Sequence, residues 1–105
     1  MDSANPEAPE APPHFNFATD VFDRMARGRP EAPALWWVSA ATGSEQKFSF
    51  RELAALSCQA ANLLRSSGVR RGDRVLLMLP RVPQWWFAML GLIRMGAVPE
   101  VEFLL

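Results

Sequence analysis

The sequence predicts an α/β fold, and within that class an incomplete part of a large parallel-sheet domain. Three observations carry the prediction. Val75-Leu76-Leu77-Met78-Leu79 is a continuous apolar run without alternation, the pattern of a strand buried between helices on both faces of a parallel sheet. Pro83 opens a second apolar run that lasts to Met95 and closes at Gly96, which reads as a crossover helix with proline in its first turn. Ala97-Val98 then begins a further strand, close to the last residue, Leu105. A strand, a crossover and the start of a parallel neighbour form a βαβ unit.

The elements follow in order from local chemistry. Pro6, Pro9, Pro12 and Pro13 stand among Ala, Asp2, Glu7 and Glu10, so residues 1–14 are expected to be a disordered, solvated leader. Order should begin at Phe15. Asn16 can cap a short helix that places Phe17, Val21, Phe22 and Met25 on one face, with Gly28 and Pro30 ending it. Ala34 to Ser39 is a short apolar run, Ala40 to Ser44 supplies a turn, and Phe48 and Phe50 alternate on the return. This predicts a β-hairpin.

Ser49 followed by Glu52 has the spacing of a capping box, in which each side chain accepts a backbone N–H at the start of a helix. Leu53, Leu56, Ala60, Leu63 and Leu64 then recur at helical spacing, and Gly68 is placed to terminate the helix. Arg65 suits the negative end of its dipole. In the last predicted helix Trp85, Trp86, Phe87, Met89, Leu90, Leu92 and Ile93 are apolar nearly all round. Gly91 in its middle costs about 1 kcal/mol relative to Ala, which implies that a neighbouring element comes close there. The domain division is therefore a leader over 1–14, a partial domain over 15–98, and a tail over 99–105.

Composition narrows the function. Half the residues are hydrophobic and the formal net charge is zero, so there is ample material for a core and no general attraction to nucleic acid or anionic membrane. No uncharged run reaches the ~18 apolar residues of a membrane span. A lone cysteine, Cys58, cannot form an internal disulfide; lying among Ala and Leu, it is expected to be a buried, inert thiol.

Residues able to carry chemistry are sparse. Triphosphate binding ordinarily uses a loop of Gly, Ser and Thr ahead of a Lys, which brings bare N–H groups against the anion. The six glycines are scattered; Thr42-Gly43 reads as a hairpin turn, and the single lysine, Lys47, as a solvated charge on the hairpin. His14 stands without a second ligand or a carboxylate at metal or triad spacing. Arg70, Arg71 and Arg74 form a basic loop that reads as solvated. Trp36-Trp37 and Trp85-Trp86 read as core or interface residues rather than a stacking platform. No catalytic, cofactor-binding or metal-binding residue is assigned.

Several segments together resemble the beginning of the medium-chain acyl-CoA synthetases. They are Phe15-Asn16-Phe17-Ala18 with Asp20-Val21, Pro33 to Val38, Phe50-Arg51-Glu52-Leu53, Gln59-Ala60-Ala61-Asn62, and Gly72-Asp73-Arg74-Val75. The most particular is Leu79-Pro80-Arg81-Val82-Pro83-Gln84-Trp85-Trp86. The resemblance implies an adenylate-forming, acid–thiol ligase family. Its members couple a carboxylic acid, ATP and coenzyme A, with Mg²⁺, to an acyl-CoA, AMP and pyrophosphate. It also implies a large domain of helices packed on parallel sheets. After the Gly96-Ala97-Val98 position the sequence departs from the family's Pro-Gly-Thr pattern, with Glu100 and Glu102 where an inside strand is expected.

The resulting expectation is a truncated portion of such a ligase, without a cofactor or catalytic activity of its own. The alternatives are an interaction fragment using an unpaired Trp-rich face, or an unstable, non-functional fragment. Association with itself or another polypeptide is the expected partnership. The family resemblance implies a mitochondrial setting, whereas the acidic, Arg-free leader favours the cytoplasm.

Overall fold

The structure, a computed structural model, describes residues 13–102. Most of the leader and the end of the tail lie outside those residues. Asn16 opens the first helical segment as expected: its Oδ1 accepts the N–H groups of Ala18 and Thr19. The first turn, Phe17–Phe22, is π-helical and runs directly into α1, Asp23–Gly28. Asp23 N–H reaches back five residues to Ala18 O, and this wider winding rotates the packed face away from the 3.6-residue spacing. Ala18 and Phe22 are buried, whereas Phe17 and Met25, expected on the core face, are exposed.

β1, Pro33–Val38, pairs antiparallel with β2, Glu45–Ser49, giving the predicted hairpin. The hairpin leads without a break into α2, Phe50–Ser66. Helix starts leave N–H groups unsatisfied, and each of the first three here has an acceptor. Phe50 N–H donates to Ala32 O, Arg51 N–H to Pro30 O, and Glu52 N–H to Ser49 Oγ. Glu52 Oε1 accepts Ser49 N–H at 2.9 Å, completing the capping box. At the other end Gly68 has φ +104°, a left-handed turn that glycine adopts without steric cost. Val69 N–H bonds Leu64 O and Gly68 N–H bonds Arg65 O, the paired closure of a Schellman motif.

The buried side of α2 differs from the predicted stripe. Leu53, Ser57 and Ala61 are buried, while Leu63 is 67% exposed. Cys58, expected to be buried, is exposed. The reason lies in α3, Pro83–Met95. A Cβ added at Gly91 of α3 would stand 3.0 Å from Ala60 Cβ, 3.0 Å from Ala61 N and 3.1 Å from Ser57 O. The backbones of the two helices therefore meet at Gly91, and small residues on α2 mark the crossing. Cys58 is turned off that line.

β3, Arg74–Met78, pairs in parallel with β4, Val98–Glu102, through the α3 crossover. This confirms the predicted parallel pair. Only one face of it is covered among the described residues. Val75 and Ala97 join Ala61, Leu64, Val69, Leu92 and Met95 in one core cluster. A second cluster gathers Phe22, Leu53 and Leu90 with hairpin side chains Leu35 and Phe48 and with Phe87. On the opposite face of the sheet, Leu76 is 57% exposed and Met78 49%. The apolar run Val75–Leu79 suits a strand covered on both faces, and its single cover among the described residues fits the expected incomplete part of a larger parallel-sheet domain. Glu100 and Glu102 lie on that same open side.

Candidate functional site

Each residue weighed for chemistry can now be placed. Lys47 Nζ sits 4.4 Å above the Trp36 ring on the outside of the hairpin, a cation–π contact. Thr42 and Gly43 form the hairpin turn, with Thr42 Oγ1 and Ser44 Oγ 2.8 Å apart. The three arginines of the basic loop diverge. Arg70 donates from Nη1 to Arg65 O and Val69 O, closing the end of α2. Arg71 lays its aliphatic stem against Gly96. Arg74 lies 3.7 Å from Glu100 on the open side of the sheet. They do not converge on one anion, so these residues do not fit a triphosphate, and no step through a nucleotide is derived from them.

The densest polar cluster joins α1, α2 and α3. Arg94 Nη1 and Nη2 donate to Asp23 Oδ2 and Oδ1 at 2.6 and 2.8 Å. Arg94 Nε and Nη2 also donate to Ser57 Oγ at 3.2 and 2.9 Å. Ser57 is fully buried and its hydroxyl donates a hydrogen bond to Ala54 O at 2.8 Å. The hydrogen bond from Arg94 holds the Asp23 carboxyl below its usual value, against the opposing effect of burial. Beside it, Asn16 Nδ2 donates to Ile93 O at 2.7 Å. This cluster is a brace: it ties the N-terminal helix to the α2–α3 crossing. The sequence analysis missed it, because its members are 37 and 71 residues apart and nothing local to any of them signals the others.

Two grooves mark the surface, the first beside the brace. One, of about 650 Å³, is lined by His14, Asn16, Asp20, Arg71 and Arg94 among others. It contains both charges, Asp20 Oδ2 accepts Asn16 N–H at 2.7 Å, and Arg94 is engaged by Asp23. The other, of about 320 Å³, is apolar and lies between α2 and α3, with Leu56, Leu63, Leu79 and Phe87 on its walls. Among the described residues no three His, Cys, Asp or Glu side chains are grouped to hold a metal ion, and no helix is long and apolar enough to cross a membrane. The open side of β3–β4 mixes exposed apolar and charged side chains. There Leu76, Met78 and Val98 are exposed beside Arg74, Glu100 and Glu102.

Comparison with known proteins agrees with this architecture. The family model of AMP-binding enzymes matches residues 22–101. The human mitochondrial acyl-coenzyme A synthetase ACSM2B is 50% identical over 95 residues, which are 85% of this chain and 16% of that protein. Rat mitochondrial acyl-coenzyme A synthetase ACSM2 is 48% identical over the same shares. Among solved structures, the N-terminal subdomain of NpsA from Klebsiella oxytoca superimposes with a TM-score of 0.74 at 27% identity, over 85% of this chain and 22% of that one. A fatty acid AMP ligase from Legionella pneumophila gives 0.71 at 25% identity, over 81% and 15%. The chain thus spans about a sixth of the length of the curated relatives it matches. A family match across both core clusters and all but the last residue of the βαβ unit places this chain in the AMP-binding enzyme family, beside its acyl-coenzyme A synthetases.

Proposed function

We propose that this chain is the opening structural segment of a medium-chain acyl-CoA synthetase and does no chemistry alone. The reaction of such a ligase joins a carboxylic acid to coenzyme A, with ATP and Mg²⁺ consumed through an acyl-adenylate. In this reading the segment supplies a βαβ platform onto which the nucleotide- and acid-binding parts of the domain pack. The observation that carries it is the half-covered parallel sheet. Strands of this kind are ordinarily covered on both faces, and here Leu76 and Met78 lie bare. The divergence of Arg70, Arg71 and Arg74 supports the same reading, since it leaves no cradle for phosphates.

The test is direct. Purified chain is incubated with ATP, Mg²⁺, coenzyme A and acids of graded length, and AMP and thioester are measured. No turnover above a protein-free blank is expected; sustained AMP release would overturn the proposal. Compartment is tested separately. The relatives are named as mitochondrial, whereas the acidic leader of this sequence lacks arginine before Arg24. A fluorescent fusion of these 105 residues is expected to remain in the cytoplasm, and import with cleavage near Phe15 would refute that.

A further inference from the structure

We propose that the outer edge of β3 pairs antiparallel with β3 of a second copy of this chain. The two-fold axis would pass through Leu76, and the two parallel pairs would join into one four-stranded sheet. The proposal rests on backbone direction. Val98 N–H donates to Asp73 O at 2.7 Å, and the register runs from Arg74↔Val98 to Met78↔Glu102. Peptide groups alternate sides along a strand, so Val75 and Leu77 direct their N–H and C=O toward β4. Arg74, Leu76 and Met78 direct theirs outward. The sheet has two strands, and among the described residues no strand meets that outward row.

The two edges of this sheet are not equivalent. By the same alternation β4 directs Pro99 and Val101 outward, and Pro99 has no N–H to give. Pairing β4 with its own copy about Glu100 would also set two carboxylates directly opposite, which is destabilising. Proline and charge are the usual means of blunting an exposed edge. β3 carries neither protection along its outward row, apart from Arg74 at its start.

The register selects a second copy as the occupant. With Leu76 on the axis, Arg74 stands opposite the second copy's Met78, and every outward N–H meets an outward C=O. Leu76 and Met78, 57% and 49% exposed, become cross-strand neighbours on the open face. Charges also match. Glu102 flanks Met78 on β4, so the incoming Arg74 lies two strand spacings, about 10 Å between Cα atoms, from Glu102. That is within the combined reach of the two side chains across Met78, and the two-fold axis repeats the pair. Such an interface is isologous and closes at two subunits. It concerns the chain by itself and does not rest on the ligase reading.

The full 105-residue chain is studied by sedimentation equilibrium from low micromolar to near-millimolar concentration. A monomer–dimer equilibrium is expected; a monomer throughout overturns the proposal. In a sample mixing isotope-labelled and unlabelled chain, an intermolecular contact between Val75 Hα and Leu77 Hα is expected. These two face each other only across the proposed pair, and a dimer lacking that contact is also contrary. Leu76→Lys puts two ammonium groups on the axis from an exposed position and should weaken association about tenfold or more. Its circular dichroism should match wild type. Leu63→Lys, on the exposed side of α2, should leave association unchanged. Association that survives Leu76→Lys and is lost in Leu63→Lys would place the contact on the helices and refute the β3 edge.

Discussion

The described residues form two two-stranded sheets, and these are held in opposite ways. The β1–β2 hairpin is built from neighbours in sequence and passes directly into α2 through the Ser49–Glu52 capping box. Its inner face is filled by contacts such as Phe48 against Phe87, ring centroids 5.3 Å apart. The β3–β4 pair is formed across the whole of α3, covers one face, and leaves Leu76 and Met78 in solvent. Local pairing supplies its own register and partner, whereas parallel pairing needs a crossover and two covering layers. The pairing of the hairpin and the start of α2 are therefore set locally, whereas the parallel pair leaves one face open among the described residues.

Substitutions can break this contrast at graded cost. The largest effect is expected from Arg94→Met, which leaves Asp23 and the buried Ser57 hydroxyl without their shared donor. Removing one member of a buried pair costs about 3 kcal/mol at the lower end of the usual range, and the partial exposure of Asp23 argues for that end. Denaturant unfolding should show it, with amide signals of α1 lost before those of the hairpin. The same pair makes a pH prediction. Arg94 lowers the folded pKa of Asp23 below its ordinary 3.8, so its contribution is complete at neutral pH. It is lost as pH falls through the carboxylate range toward the lowered folded value. The acid dependence should be shallower in Arg94→Met.

Gly91→Val is next. Its side chain would press on Ala60 Cβ and on the backbone at Ala61 and Ser57, and overpacking of this kind costs about 2 kcal/mol. Thermal melting should report it, and loss of the α2–α3 contact should affect both core clusters. Ser49→Ala removes one side of the capping box and should cost about 1 kcal/mol, with faster amide exchange confined to Phe50–Leu53. A loss spread evenly over β3 and β4 would contradict the local character of the hairpin–α2 unit. Smallest is Leu76→Lys, whose effect on the stability of the monomer should fall within about 0.5 kcal/mol because the side chain is already in solvent.

What was legible in the sequence follows the same division. Ser49, Glu52 and Gly68 mark both ends of α2 because capping acts between residues a few positions apart. The run of residues 75–79 announced a parallel strand, and Gly91 a close approach, since each departs from its local norm. The buried stripe of α2 was misplaced because Ser57 and Ala61 are small rather than large apolar residues. They are small because Gly91 meets them and, at Ser57, because Arg94 needs an acceptor. Cys58 was assigned to the core on its Ala and Leu neighbours, and one position of helical rotation turns it out. Phe17 and Met25 were misplaced by the π-helical turn, whose extra residue shifts the face. That the parallel sheet is incomplete was legible in the sequence, but which face of β3–β4 lies open was not, because an apolar run states what the strand requires and not what covers it.

Amide hydrogen exchange, measured residue by residue at low concentration, tests the central contrast most directly. Amides of the α2 interior and of the paired positions of β1 and β2 should exchange slowest. The outward amides of Leu76 and Met78 should exchange close to the rate of an unprotected chain, while Leu77, bonded toward β4, is slower. Equal, strong protection of Leu76 and Met78 at concentrations where the chain is monomeric would show that the edge is already covered within one molecule, and would contradict the account.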